Sequence, residues 1–179
     1  MEKDNITLER IKLIHPKLQS ELLSIYNDLF DKGVYIRFTS TFRSFLEQDA
    51  IYYQGRKSLE EVNNMRLKCG LYLISEKENK IVSNAFGGRS YHNYGIAVDF
   101  CLLSKNHNYD MEFDTNNNNE KDWNEVVKVF KNYGWDWGSE VNFKSDTPHF
   151  QKTFGYKINQ LLEKYNRQDF IIGTEYLNL

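Results

Sequence analysis

Gly87-Gly88-Arg89-Ser90-Tyr91-His92-Asn93-Tyr94-Gly95-Ile96-Ala97-Val98-Asp99-Phe100 is the stretch on which the reading of this chain turns. Its second half continues through Cys101-Leu102-Leu103 as a near-continuous apolar run, the pattern of a buried strand, and Asp99 is its one charge. Period-2 alternation puts Asp99 on a face with the small residues Ala97 and Cys101 and turns Ile96, Val98, Phe100 and Leu102 toward a core. An ionised carboxylate buried there without a partner costs several kcal/mol, so a cation or a hydrogen-bonded base must stand beside it.

His92 cannot reach Asp99 along a regular element. The two would be roughly 10 Å apart along a straight helix and more than about 20 Å apart along one strand. A bend must bring them together, and Gly95, free to take backbone angles that other residues avoid, is the expected pivot. A second stretch, Asp146-Thr147-Pro148-His149-Phe150-Gln151, supplies another imidazole. His92, Asp99 and His149, with a fourth corner left to water, make the open ligand set of a catalytic zinc site. By themselves His92 and Asp99 fit equally well a structural carboxylate paired with an arginine or with backbone N–H groups. The second stretch tips the reading toward a metal.

Ser90-x-His92-x-x-Gly95-x-Ala97-x-Asp99, followed near the C-terminal end by Asp146-x-Pro148-His149-Phe150, resembles the zinc peptidases of the VanX/VanY type. Within that group, Gly-Gly-x-Ser-Tyr-His, the upstream Phe42-Arg43-Ser44-Phe45-x-Glu47-Gln48 and the downstream Thr153-Phe154-Gly155-Tyr156 are most similar to the L-alanyl-D-glutamate endopeptidases of phage endolysins and bacterial cell-wall hydrolases. The resemblance runs from the first helix to Tyr165. It implies an α+β fold of the hedgehog/D-Ala-D-Ala peptidase kind, with a central, mainly antiparallel sheet flanked by helices. It also implies a single peptidase domain over residues 1–179, with a core of about 7–165 and an extension over 166–179. One Zn²⁺ per chain would be held by His92, Asp99 and His149, and the substrate would be the peptidoglycan stem peptide, cut between L-Ala and D-Glu by a monomer.

The remaining site residues follow. Arg43 precedes a helix opened by the capping box Ser44-x-x-Glu47. The helix dipole disfavours a cation there, but the place suits an anion. In the resembled family the matching arginine faces the substrate carbonyl, which implies oxyanion stabilisation by Arg43; without the motif an ordinary ion pair is the plainer reading. Pro148 forces Thr147 out of helical geometry, so Asp146 lies on a kinked segment, close to the metal without having to bind it, where a general base belongs. Ser90 matches a family position near the substrate and is expected to donate a hydrogen bond to it.

Two alternatives share these residues. A D-Ala-D-Ala carboxypeptidase or dipeptidase uses the same ligands, but its members usually carry Glu at the base position, and Asp146 favours the endopeptidase. An inactive, metal-stabilised binding module of the same fold would be expected to lack the base or the arginine, and both are present.

At 179 residues the chain suits one domain. A net charge of -2 gives no reason to expect nucleic acid as a partner. The opening Met1-Glu2-Lys3-Asp4-Asn5 has no signal-peptide core, and no apolar run is long enough to span a bilayer. This predicts synthesis in the cytoplasm without a signal peptide and, by the resemblance, action at the cell wall after release. Cys69 and Cys101 read as free thiols.

Elsewhere the pattern predicts a first helix capped by Thr7, a second helix opened by Pro16 and ended by Gly33, and a strand over residues 34–40. A further helix opens at the capping box Ser58-x-x-Glu61, and short strands are expected over 71–74 and 111–114. Beyond these come a solvated His107 that is not a ligand, an Asn-rich loop over 115–119, and a helix capped by Asp122 with Val126, Val127 and Phe130 inward. Trp135 and Trp137 read as core. An amphipathic helix over 156–165 and an edge strand near Phe170-Ile171-Ile172 complete the expectation.

Overall fold

The computed structural model describes residues 2–103 and 109–179; His107 lies outside them. The chain gathers into two compact units, Met1–Phe42 with Gly95–Phe154, and Arg43–Tyr94 with Gly155–Leu179. Both helices and sheet are present, and each strand pairing is antiparallel, in agreement with the α+β expectation.

The first unit holds the sheet. Its strands β1 (Ile36–Ser40), β2 (Ala97–Leu102), β3 (Asp136–Trp137) and β4 (His149–Gln151) lie in the order β1-β2-β4-β3. Along β2, Val98, Phe100 and Leu102 are buried as expected, Ala97 and Cys101 on the other face are buried too, and Asp99 alone in the strand is half-exposed. Phe100 meets Trp123, with ring centroids 4.5 Å apart, and Phe150 stacks on Phe130 at 4.1 Å. Each such fully buried ring contributes about 1.5–3 kcal/mol by leaving water. Phe130 and Trp123 belong to helix α5 (Asp122–Asn132), which turns Val126 and Val129 inward and leaves Val127 only half-buried. Asp122 is not the cap of this helix. Lys121 precedes it without a side-chain bond, and the buried Asp122 accepts from Thr115 instead.

Helices α1 (Asn5–Ile11) and α2 (Pro16–Asp31) also belong to this unit. Asp4 rather than Thr7 caps α1: its carboxylate accepts from the Thr7 N–H at 2.9 Å and also holds Arg37, at 2.6 and 3.1 Å. Thr7 is buried, and its hydroxyl accepts from the Phe38 N–H, tying α1 to β1. His15 caps α2 through Nδ1, just ahead of the expected Pro16. Trp135 is buried and donates to Glu21, while Trp137 is partly buried and donates to the Thr147 carbonyl. Residues 111–112 form a turn and 113–114 irregular chain, not a strand.

The second unit is helical, with α3 (Phe45–Tyr53), α4 (Leu59–Lys68), a short 3₁₀ helix (Tyr91–Tyr94) and α7 (Ile158–Asn166). Both predicted capping boxes, Ser44 with Glu47 and Ser58 with Glu61, are formed. Phe45 stacks on Tyr165 with centroids 4.4 Å apart and meets Tyr94 edge-on. Residues 71–74 are extended chain without a strand partner. The C-terminal residues add no strand to the sheet; they fold back on themselves through one antiparallel bridge, Phe170 with Leu177. Cys69 and Cys101 are both free thiols, and burial pushes each thiol pKa up.

Candidate metal centre

The centre begins with a ladder. In the β2–β4 register Asp99 stands opposite His149, flanked by the pairs Val98 with Phe150 and Ala97 with Gln151. On the other side of β2 the register slips between Phe38 and Ser40, so that Ser40 rather than Thr39 faces Asp99. Such bulges bend a strand and re-aim its side chains. Across the β2–β4 pair, His149 Nδ1 lies 2.9 Å from Asp99 Oδ1, and His149 Nε2 lies 3.1 Å from Gln151 Oε1. The Gln151 carbonyl can only accept, so the proton on Nε2 is directed to it and the Nδ1 lone pair faces the carboxylate. A proton or a metal cation must sit between two lone pairs that close. Burial opposes charge on the His149 ring, yet the hydrogen bond and charge of Asp99, the charge of Asp146 and the contact with Gln151 leave its pKa raised.

His92 lies in the 3₁₀ turn ahead of β2 and is buried. Gly95 sits between turn and strand with φ +65°, the left-handed bend expected of it. The backbone carbonyl of His92 accepts from the Arg43 N–H at 3.0 Å. His92 belongs to the helical unit, Asp99 and His149 to the unit that holds the sheet.

These donors suit zinc. Ligands about 2 Å from one tetrahedral ion are roughly 3.3 Å from each other, and the 2.9 Å between His149 Nδ1 and Asp99 Oδ1 is close to that edge. The far nitrogen of His149 is held by Gln151, the outer contact that ligating histidines characteristically make.

Asp146 follows a short helix, α6 (Gly138–Val141), and is half-buried. Its Oδ2 accepts from the Asn142 amide at 2.8 Å. Gly138 is what lets Asp146 and His149 come close: a Cβ added there would stand 2.7 Å from the Asp146 carbonyl oxygen and 2.8 Å from His149 Cβ. Arg43 directly precedes the cap Ser44, and its Nη1 donates to Gln48 Oε1 at 2.9 Å. Gln48 is fully buried and donates in turn to Ser83 Oγ and the Ala85 carbonyl, at 3.0 and 2.6 Å. Ser90 is half-buried, with its Oγ 3.4 Å from the His92 N–H.

Several supporting residues escaped the sequence reading. Asn93 is buried; its carbonyl oxygen accepts from the Gly88 and Ser90 N–H groups, at 3.0 and 3.3 Å. Its amide donates to the Arg43 and Ser44 carbonyls, at 2.9 and 3.3 Å. One side chain thus ties the backbone of Arg43 to the segment carrying Ser90 and His92. Only its place between His92 and Gly95 hinted at such a role. Gly138 and Asn142 carried no readable signal, because their importance lies in what the fold brings against them.

A family model described as D-alanyl-D-alanine carboxypeptidase matches residues 83–152, the span that contains Ser90, His92, Asp99, Asp146 and His149. The peptidoglycan L-alanyl-D-glutamate endopeptidase CwlK of Bacillus subtilis (strain 168) is 36% identical over 140 residues, 77% of this chain and 72% of that protein. Among solved structures, the Serratia marcescens L-Ala D-Glu endopeptidase ChiX aligns over 84% of this chain and 88% of its own, at 18% identity and a TM-score of 0.46. The vancomycin resistance D,D-pentapeptidase VanY, in complex with Zn(II), aligns over 84% and 78%, at 14% identity and a TM-score of 0.46. With two separated motifs in order and a relative of this identity and coverage, the chain belongs to the VanX/VanY-type peptidase family.

Proposed function

We propose that this peptidase is a zinc-dependent peptidoglycan hydrolase that cuts the stem peptide between L-Ala and D-Glu, with His92, Asp99 and His149 as the metal ligands. The observation that carries the reading is the approach of His149 Nδ1 to Asp99 Oδ1 at 2.9 Å in a chain 36% identical to an L-alanyl-D-glutamate endopeptidase. Zinc in such a site supplies a Lewis acid and lowers the pKa of water to about 7.

The protein's own groups supply the rest. Asp146 has Oδ2 occupied by Asn142, and its Oδ1 accepts no hydrogen bond among the described residues. That oxygen takes the proton of the attacking water and returns it to the departing amine. Arg43, anchored on Gln48 through Nη1, supplies positive charge to the carbonyl oxygen as it gains negative charge. Ser90 donates a hydrogen bond that orients the peptide. Gln151 keeps the His149 ring in the tautomer that offers Nδ1. The whole of 1–179 acts as one peptidase domain, as a monomer, at the cell wall where its substrate lies.

The family model's description favours one other reading, removal of a terminal D-Ala. Mass spectrometry of purified peptidoglycan after digestion separates the two. The expected products carry a new N-terminal D-Glu, appear only with zinc present and vanish with chelator. Release of free D-Ala with the L-Ala–D-Glu link intact would replace the endopeptidase reading with the carboxypeptidase one.

A further inference from the structure

Within the helical unit, the stretch Ile81-Val82-Ser83-Asn84-Ala85-Phe86 runs without helix or strand into the segment that carries Ser90. It leaves Ile81, Val82 and Phe86 exposed. Phe86 keeps 47% of its surface in water, although burying such a ring would stabilise the fold. Large apolar side chains that a protein keeps at its surface mark a place where something else docks.

The backbone at Phe86 is fixed. Its carbonyl accepts from the Arg89 N–H at 2.9 Å and closes a turn through Gly87 and Gly88. The Asp49 carboxylate accepts from the Gly87 N–H at 2.8 Å, and a Cβ added at Gly87 would stand 2.7 Å from the Phe45 carbonyl oxygen. Gly88 takes the left-handed place in the turn with φ +78°, and Asn93 holds its N–H. The Phe86 ring meets Tyr52 of α3 edge-on with centroids 5.8 Å apart, and Tyr52 meets Tyr53 in the same way at 5.2 Å.

Each ring has a cation beside it. The Arg56 guanidinium lies 4.1 Å from the Tyr52 ring centre, the Lys57 ammonium 4.9 Å from that of Tyr53, and the Arg89 guanidinium 5.7 Å from that of Phe86. Arg56 also donates to the Tyr52 and Ser83 carbonyls and to Asn84 Oδ1, and Arg89 donates to Asn159 of α7. An exposed aromatic ring with guanidinium and amide groups around it is what a pyranose needs. The C–H face of the sugar lies on the aromatic, and its hydroxyls and acetamido oxygen find hydrogen-bonding groups at the edge.

The chemistry of the substrate brings such a sugar to this place. In peptidoglycan L-Ala hangs from an N-acetylated sugar through a lactyl ether. Residue and link together span about two residue lengths, roughly 7 Å, between the L-Ala–D-Glu bond and the glycan. An enzyme that cuts there works beside the sugar, whereas one that removes a terminal D-Ala works several residues further out. The turn that presents Phe86 ends at Arg89, next to Ser90, the residue that orients the peptide in the function proposed above. We propose that Phe86, with Tyr52, Arg56 and Arg89, forms a glycan subsite that holds the N-acetylated aminosugar strand of peptidoglycan on the L-Ala side of the cut bond. The choice of ligand rests on the endopeptidase reading.

Two measurements separate the subsite from that reading. In the first, a peptide-free oligosaccharide of alternating N-acetylglucosamine and N-acetylmuramic acid is titrated calorimetrically into the zinc-loaded protein. Saturable binding is expected, about tenfold weaker in Phe86→Ala and restored in Phe86→Tyr, at unchanged zinc content and Tm. No bond is cut in this titration, so it stands even if the endopeptidase reading fails. The subsite is overturned by the absence of saturable binding up to about 10 mM oligosaccharide, by equal affinity in Phe86→Ala, or by a preference for a polyglycerol phosphate chain over the oligosaccharide. In the second, kcat/KM is compared on one stem peptide with and without its disaccharide. The sugar should raise the parent's kcat/KM by about tenfold or more, and Phe86→Ala should lose that gain while cutting the sugar-free peptide as the parent does. An equal loss on both substrates would make Phe86 a structural support and overturn the proposal.

Discussion

Asp99 and His149 face each other across a backbone ladder, whereas Arg43 and Ser90 are held by side-chain amides outside any strand. In the first region, neighbouring pairs such as Val98 with Phe150 fix the register, and a slip of one residue would turn the hydrophobic face outward. The side chains that do chemistry there inherit their position from the core. In the second region, Asn93 and Gln48 each satisfy several buried polar groups at once, so position depends on a few hydrogen bonds. A sheet tolerates substitution on its outer face, while an amide hub loses several partners with one change.

The contrast can be broken first at Asp146, on the kinked approach to β4. Asp146→Ala should lower kcat by about 10²–10⁴-fold, with zinc content by metal analysis and the thermal midpoint near those of the parent. Undiminished peptidoglycan cleavage would remove Asp146 from the base role. Asn93→Ala probes the amide-held side. Removing the side-chain amide from the Gly88 and Ser90 N–H groups and from the Arg43 and Ser44 carbonyls should cost about 2–3 kcal/mol in denaturant unfolding, with a fall in turnover as Arg43 and Ser90 lose their fixed geometry. If this variant is as stable and active as the parent, the backbone alone suffices there and the contrast disappears.

Gln151→Leu keeps the ladder and removes only the acceptor on His149 Nε2. Zinc affinity, read by competition with a chromophoric chelator, should weaken by about 10–100-fold. The smallest effect belongs far from the centre, at Asp4→Asn, where the cap acceptor is kept but the ion pair with Arg37 is lost, at about 1 kcal/mol. Burial would raise the Asp4 pKa, but the bonds from Arg37 and Thr7 outweigh it and leave the folded value below 3.8. The contribution of Asp4 is therefore fully present above its unfolded pKa and is lost as pH falls through the lower folded one. Parent and variant should converge in stability only below about pH 4, and convergence at neutral pH would show that the pair contributes nothing.

How much of this was legible in the residues differs by element. The β2 strand, the capping boxes at Ser44 and Ser58 and the Pro16 helix could be read directly, because alternation, cap chemistry and proline geometry act within a few residues. The cap of α1 was misplaced at Thr7, since Thr and Asp are both good caps and only the contact with Arg37 in β1 favours Asp4. Residues 71–74 and 111–114 carry strand-forming side chains but find no partner strand among the described residues. The tail shows the same limit, with Phe170 bridged to Leu177 and not to the sheet.

By itself, then, the sequence determined the elements whose cause is local and the two motifs that name the family. Period and spacing are enough to put Asp99 on a small-residue face and a bend at Gly95. Only the tertiary structure decided that His149 meets Asp99 at 2.9 Å, that Gly138 leaves room for Asp146 beside it, and that Asn93 binds Arg43 to the Ser90 segment. Those contacts join residues distant in the chain, and the free energy that selects them comes from burial and hydrogen bonding between elements, which no local pattern encodes.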